Sequence, residues 1–146
     1  MTSRVPGADT EANPTLPLVD GLAQLSFAVQ NALSRRAAER DLSMIQTRLL
    51  GVLRDRTPGI NELAILLDLD KSSVSGLVDR AERRGLVERV PSSTDRRAVR
   101  VGLTATGRSV VAEVESGFDA DMAALLTPLA AAERHTLTAL IARLLA

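Results

Sequence analysis

The feature that most constrains this chain is a change in the spacing of its apolar residues within one short stretch, residues 60–103. Residues 60–67 and 71–84 repeat apolar side chains at three- and four-residue steps, which predicts two amphipathic helices. The segment between them, residues 68–70, is short and polar, as a tight turn requires. After Gly85 the apolar residues alternate instead, which predicts two short strands.

The ends of these predicted elements carry matching local signals. The carboxylate of Asp70 can accept backbone hydrogen bonds at the start of the second helix, where its charge also suits the positive helix end. Arg83-Arg84-Gly85 is typical of a helix C-terminus. The strands are predicted over residues 86–90 and 98–103. Two helices joined by a tight turn form a helix-turn-helix, and the added hairpin makes it a winged helix.

Helical patterns also flank this region on both sides. Apolar residues recur along residues 18–40, and Ser43 with Gln46 forms the capping-box pattern at the start of a helix that reaches about residue 54. Thr104 is placed to cap a long helix that ends before Pro128. A last helix is predicted over about residues 131–145. We therefore expect a mainly α protein with a small β-wing.

The second predicted helix has a polar and basic outer face opposite its apolar stripe. Besides Asp79, that face holds Lys71, Ser72, Ser73, Ser75, Gly76, Arg80 and Arg83. The second helix of such a motif fits the DNA major groove, and its first residues reach base edges. Gly76 permits close approach of the helix, and Arg80 can bind guanine through two hydrogen bonds. The alternative is that the three serines only cap and solvate the helix start.

Charge is unevenly distributed along the chain. The 18 Lys and Arg residues balance the 18 Asp and Glu residues, so the formal net charge is zero. Residues 71–108, however, contain nine cations and four anions, a balance of +5, whereas residues 1–70 and 109–146 carry −2 and −3. The positive excess falls on the predicted helix and hairpin, where neutralisation of phosphates would need it.

Composition argues against several other classes of protein. The chain has no Cys and a single His, His135, which excludes thiolate metal sites, multi-His sites and thiol redox switches. No Gly-rich phosphate loop or catalytic constellation is present, so we expect neither an enzyme nor a cofactor. No apolar run approaches the ~20 residues of a membrane span, and no secretory signal is visible, so a cytoplasmic protein without membrane contact is expected.

The hairpin and the helix before it resemble the MarR family of bacterial transcriptional regulators. Residues 95–107, DRRAVRVGLTATG, match the family's wing pattern D-x-R-x(5)-L-T-x-x-G, and residues 69–87 are similar to its recognition helix and the strand that follows. Glu62-Leu63-Ala64 fits the preceding helix. The resemblance covers residues 60–107 in motif detail and about 18–146 in the order of elements.

This resemblance implies a homodimer that binds a palindromic double-stranded DNA operator, usually as a repressor. By position, Arg97 would enter the minor groove from the wing beside Arg96, and Asp95 would orient the wing through a salt bridge. The serines and Arg80 would face the major groove. The implied organisation is a disordered tail at residues 1–16, a helical dimerisation region at residues 17–40 and 105–146, and a DNA-binding winged helix-turn-helix at residues 41–104.

The C-terminal residues support a dimer independently of the resemblance, because apolar side chains crowd there. They are Leu125, Leu126, Leu129, Leu137, Leu140, Ile141, Leu144 and Leu145. Exposed together, these side chains would form a patch large enough to require a partner. The alternative is that they fold back onto the chain's own lobe.

The resemblance also implies a small effector, often aromatic or anionic, bound between the dimerisation and DNA-binding parts. Phe27, Met44 and Arg48 are candidates for lining such a pocket by position, although the pattern favours Phe27 and Met44 as core residues over pocket residues. A different class of function also stays open. The chain could be a helical protein-interaction or small-molecule-binding dimer whose winged helix does not read DNA.

Overall fold

The computed structural model describes residues 16–95 and 98–146. Over these ranges the chain forms six helices and one antiparallel hairpin, which confirms the predicted mainly α fold with a small β-wing. The helices are α1 (Leu18–Ala38), α2 (Met44–Leu53), α3 (Ile60–Leu67), α4 (Lys71–Arg83), α5 (Ala105–Leu125) and α6 (Ala131–Leu145), and the strands are β1 (Val87–Pro91) and β2 (Val99–Leu103). The predicted tail falls almost entirely outside the described residues.

Three helices begin at the capping residues that the sequence predicts. The Ser43 hydroxyl accepts a hydrogen bond from the Gln46 amide, and the Gln46 side chain accepts one from the Ser43 amide, which completes the capping box of α2. Asp70 caps α4 and Thr104 caps α5 in the same way, each through its side chain. These caps satisfy amide groups that a helix start leaves without a partner.

The core lies between the inner faces of α2, α3 and α4 and the hairpin. Leu49, Leu63, Val74, Val78 and Val101 are all completely buried there. The predicted inner stripe of α4 is buried along its whole length. Because that stripe is occupied by the core, the opposite face of α4 is left to solvent.

The turn between α3 and α4 depends on one left-handed residue. Asp68 has φ +53°, a conformation that Asp tolerates better than most residues with a side chain. The amide of Leu69 then donates to the Ala64 carbonyl, which closes the end of α3. Only Leu69 and Asp70 separate Asp68 from α4, so the two helices are held as a compact helix-turn-helix.

The hairpin differs from the prediction near its tip. Val87 pairs with Leu103 at its base and Pro91 with Val99 at its outer end. Val101 and Leu103 are buried, but Val99, predicted on the same face, is 44% exposed. The core extends beneath only the base of the hairpin. The alternation of apolar side chains therefore continues to Val99, where no core residues cover it.

The last helix, α6, and much of α1 do not fold back onto the lobe, whereas Val111 and Val114 of α5 join its core. No residue of α6 is buried, and the exposed apolar side chains of the chain include Leu18, Leu22, Leu144 and Leu145. Phe27 is 64% exposed on α1, so its interpretation as a core residue is wrong for this chain on its own. No helix in the described part of the chain is long and apolar enough to cross a membrane.

Candidate nucleic-acid interface

The outer face of α4 presents cations that are free of intramolecular partners. Lys71, Arg80 and Arg83 are exposed, and none forms a hydrogen bond or ion pair with the residues that the structure describes. They lie on one helix, and because the opposite face of that helix is buried in the core, their side chains extend into solvent. Such an arrangement suits an extended polyanion, because each cation can exchange counterions for a phosphate.

Asp70 engages two of the three predicted serines at the start of α4. The hydroxyl of Ser72 donates to Asp70 Oδ1 at 2.7 Å, and the hydroxyl of Ser73 donates to Oδ2 at 2.8 Å. The hydrogen bond from the Ser72 side chain, followed by those from the Ser73 amide and hydroxyl, lowers the pKa of Asp70 to about 2. Both hydroxyls therefore already use their single proton. In this arrangement they can accept a hydrogen bond from a nucleic acid but cannot donate one.

Gly76 and Arg80 form a pair on the same face. A Cβ atom at position 76 would lie 3.3 Å from Arg80 Nη1, so the guanidinium of Arg80 rests over the glycine. The bare backbone at position 76 thus leaves room for this side chain along the helix. Ser75, beside it, is half-buried.

Two acidic residues of α4 are neutralised by a residue that sequence reasoning missed. Arg89 on β1 donates to Asp79 at 2.7 Å and to Glu82 at 3.1 Å, and the hydrogen bond to Asp79 is the main reason its pKa is raised. This contact fastens the hairpin to α4. It also leaves Arg80 and Arg83 without a competing carboxylate on their own helix.

The outer part of the wing is anchored by another arginine that sequence reasoning missed. Arg100 Nη1 donates to the Thr57 carbonyl at 2.9 Å, and the Val101 amide donates to the Pro58 carbonyl at 2.8 Å. The carbonyl of Asp95 accepts from the Ala98 amide at the tip. Arg96 and Arg97, predicted to contact the nucleic acid, lie outside the described residues, so their predicted role stays a prediction.

A pocket of about 210 Å³ opens between α1, α2 and α5. Its walls are largely apolar and include Leu33, Leu50 and Phe118. At its rim Arg54 Nη1 donates to Glu115 at 2.6 Å. Hydrogen bonds to Asp55 and then to Glu115 raise the pKa of Arg54.

The residues predicted to line an effector pocket are not part of this one. Phe27 lies on the exposed face of α1, Met44 is the half-buried first residue of α2, and Arg48 is exposed on α2. Their candidacy rested on position alone. The signal that could have indicated the observed pocket is the apolar stripe of α5, whose partners lie far away in the sequence.

Ion pairs join α1 and the turn after it to α5. Arg36 binds Asp121 through two hydrogen bonds, of 2.8 and 2.7 Å, which lower the pKa of Asp121. Arg40 forms an ion pair with Glu113. A planar guanidinium that binds both oxygens of a carboxylate fixes orientation as well as distance. The two contacts therefore hold α1 and α5 as one unit.

Comparison with known proteins finds similarity to one family. A family model described as the MarR family matches residues 40–98. A protein of Thauera aromatica, named as a transcriptional regulatory protein for the hcr operon, is 37% identical over 92 residues, which are 60% of this chain; the chain spans about half the length of that relative, 54%. The regulator PecS of Dickeya dadantii is 26% identical over 92% of this chain and 83% of its own length.

Solved structures give the same result for the fold. RV1404 from Mycobacterium tuberculosis is 29% identical with a TM-score of 0.77, over 86% of this chain and 88% of its own. Wild-type MarR from E. coli is 25% identical with a TM-score of 0.73, over 90% of this chain and 98% of its own. A mutant of MepR from S. aureus, solved bound to an oligodeoxyribonucleotide, has a TM-score of 0.65 at 23% identity, over 89% of this chain and 96% of its own.

These matches agree with the helix-turn-helix and hairpin of the described structure. The chain is similar to the MarR family of transcriptional regulators, in sequence over residues 40–98 and in fold over most of its length.

Proposed function

We propose that the chain acts as a homodimer on a palindromic double-stranded DNA operator and represses transcription there. The observation that carries this proposal is the outer face of α4, where Lys71, Arg80 and Arg83 are exposed beside an anchored wing and pair with none of the described residues. In a helix-turn-helix this helix is the one that enters the major groove. The MepR structure with bound oligodeoxyribonucleotide supports the proposal, because it shares this fold.

The proposed division of labour follows the elements. Residues 41–104 would bind DNA, while residues 17–40 and 105–146 would pair two chains through the apolar faces of α1 and α6 that a single chain leaves exposed. A two-fold dimer presents two copies of α4. It therefore favours an operator with two half-sites about one helical turn apart, roughly 34–36 Å.

Direct binding to DNA tests this proposal. The DNA that flanks the chain's own gene is titrated with purified protein at several known salt concentrations. Specific binding should weaken linearly in log–log form as salt increases, because phosphate contacts release counterions. In the cell, deletion of the gene should raise transcription from the bound promoter if the protein is a repressor.

Two variants separate base contacts from general charge. Arg80→Ala should cost about 1–3 kcal/mol of binding and relax the preference at one base pair. Arg97→Ala should weaken binding and reduce the salt dependence. Arg35→Ala is the matched control, because Arg35 is an exposed arginine on α1, away from α4.

A folded dimer that binds no fragment of the adjacent region specifically would contradict this proposal. In that case the alternative function, a helical dimer that binds a protein or a small molecule, would be favoured. Equal losses for Arg80→Ala and Arg35→Ala would remove Arg80 from the proposed interface.

We further propose that a small anionic aromatic compound releases the operator by binding in the α1–α2–α5 pocket. A cavity of about 150 Å³ can accept benzene, so a volume of about 210 Å³ suits one ring rather than a drug-sized molecule. Arg54 at the rim could exchange Glu115 for the carboxylate of the ligand. Its guanidinium would then bind the ligand through paired hydrogen bonds.

Benzoate is a direct probe of this pocket. It should raise the Tm of the free protein and weaken operator binding, and Arg54→Met should abolish both effects. Cyclohexanol, which is similar in size but uncharged, serves as the control ligand. A benzoate effect that persists in Arg54→Met would place the effector elsewhere.

A further inference from the structure

Arg84, the C-cap residue that follows α4, makes a contact that neither the core nor the proposed DNA-binding face requires. Its Nη1 donates to the Asp41 carbonyl at 2.8 Å, and its Nη2 donates to the Arg40 carbonyl at 3.0 Å. The accepting residues lie 43 and 44 positions earlier in the chain, in the turn that follows α1. One guanidinium thus bridges the end of α4 and the end of α1.

The acceptors of this bridge are held rigidly. The amide of Asp41 donates to the Ala38 carbonyl and that of Leu42 to the Ala37 carbonyl, a pattern that closes a helix through a left-handed residue. Asp41 is that residue, with φ +54°. The carbonyls of Asp41 and Arg40 lie between α1 and α2, and both accept hydrogen bonds from Arg84. The negative end of the α1 dipole favours a cation at this position.

The donor is held just as rigidly. Gly85 has φ +73°, its amide donates to the Glu82 carbonyl, and the Leu86 amide donates to the Ala81 carbonyl. The backbone from which the Arg84 side chain emerges is therefore fixed relative to α4. The planar Arg84 guanidinium makes two hydrogen bonds between two fixed turns. It therefore restricts the angle between α4 and α1, which a single hydrogen bond would not do.

The bridge continues into α5. Arg40, whose carbonyl receives Arg84, forms an ion pair with Glu113 through its own side chain, and Arg36 one turn earlier binds Asp121. The end of α4 is thereby connected to the α1–α5 unit, which includes the exposed apolar face of α1. Lys71, Arg80 and Arg83 on α4 have no such connection in the described structure.

We infer that Arg84 is a positioning residue that fixes the angle of α4 against the α1–α5 unit and so sets the half-site spacing that the dimer accepts. This inference rests on the proposed function. One added base pair moves a half-site by about 3.4 Å and turns it by about 35°. With the Arg84 bridge in place, moving α4 to the displaced half-site costs binding free energy. Without the bridge, α4 can move to that half-site at a lower cost.

The test compares operators of native spacing with operators that have one base pair more or fewer. Wild type should lose at least tenfold in affinity on the altered operators. Arg84→Met, which removes the charge, and Arg84→Lys, which keeps it but cannot bridge both carbonyls in one plane, should bind the native operator more weakly. Both should discriminate less than about threefold between spacings, with affinity for an isolated half-site unchanged.

Arg83→Met is the matched contrast. Arg83 is the neighbouring exposed arginine and makes no such bridge, so its loss should weaken binding to all spacings and to the half-site by the same factor. Retention of tenfold discrimination in folded Arg84→Met and Arg84→Lys would overturn the inference. A failure of wild type to bind any operator would instead overturn the proposed function.

A measurement without DNA tests the positioning role separately from the proposed function. It uses Arg84→Lys and does not require Arg84→Met to fold. The chain has no Cys, so Lys71→Cys introduces a unique site for a spin label near the start of α4. The distance distribution between the two labels of a dimer should be narrow in the otherwise wild-type protein and broader with Arg84→Lys. Equal widths would contradict the positioning role.

Discussion

At the scale of single residues, Gly107 shows why a glycine stands in the last position of the wing motif. A Cβ atom there would overlap the Leu86 carbonyl oxygen and lie 3.0 Å from the Leu86 carbonyl carbon. The obstacle is backbone, because the first turn of α5 passes directly over the start of the hairpin. The glycine therefore permits close packing of α5 against the winged helix.

We expect Gly107→Ala to lower the free energy of unfolding by about 1–3 kcal/mol or more, since overpacking against a fixed backbone forces the structure to shift. Gly51→Ala is the control, because Gly51 lies in α2 and its added Cβ would meet no atom within 4 Å beyond its neighbours and the backbone of its own helix. That substitution should stabilise by about 0.5–1 kcal/mol. Denaturant titrations measure both, and equal effects at the two positions would contradict the packing argument.

The lowered pKa of Asp70 leads to a second prediction at this scale, on how the stability of the fold depends on pH. The pKa of Asp70 is about 2 in the folded chain against an ordinary value of 3.8, so the ionised carboxylate favours the folded state above pH 4. This contribution should be lost as pH falls from about 4 to 2. Asp70→Asn keeps a good cap without a titrating group, so the stability difference between wild type and this variant should change across that window. A constant difference would show that Asp70 does not contribute through its charge.

At the scale of elements, helix starts are the features that local sequence predicts best. Ser43 and Gln46 are three positions apart and satisfy each other's backbone amides without help from the rest of the fold. Local signals also located α5, whose prediction depended on the Thr104 cap and on Pro128. Strand burial was less predictable, because Val99 alternates correctly yet has no core beneath it.

Ser43→Ala should cost about 1 kcal/mol of stability, the usual value for the loss of an N-cap hydroxyl. Ser43→Asp should retain most of the wild-type stability, because aspartate caps helices about as well as serine. Ser116→Ala, at an exposed position inside α5, is the control and should be neutral or slightly stabilising. Thermal unfolding compares the three variants, and an equal loss at both serines would contradict a capping role.

At the scale of the whole molecule, the net charge of zero hides a functional separation of charge. The excess of cations in residues 71–108 was visible in the sequence, but the structure uses three of them internally. Arg84 binds carbonyls after α1, Arg89 binds carboxylates of α4, and Arg100 binds the Thr57 carbonyl. On α4, Lys71, Arg80 and Arg83 form no hydrogen bond or ion pair with the described residues and are left for a partner.

The exposed apolar faces of α1 and α6 lead to a whole-molecule prediction. Ile141→Glu on α6 should convert a dimer to monomers and abolish tight operator binding, because a charge would be buried in the pairing surface. Ile65→Glu is the control, since Ile65 is 81% exposed on α3, away from that surface. Sedimentation equilibrium gives the mass of each variant, and a dimeric, folded Ile141→Glu would contradict pairing through α6.

The sequence by itself determined the helices, their caps, the tight turn and the family motif, because each depends on residues a few positions apart. The tertiary structure alone decided which arginines are free and which are structural. Arg84, Arg89 and Arg100 find partners 43, 10 and 43 positions away, and only folding brings those partners within hydrogen-bonding distance. The same physical reason explains the pocket, where α5 meets α1 and α2 and Arg54 contacts Glu115, 61 positions away.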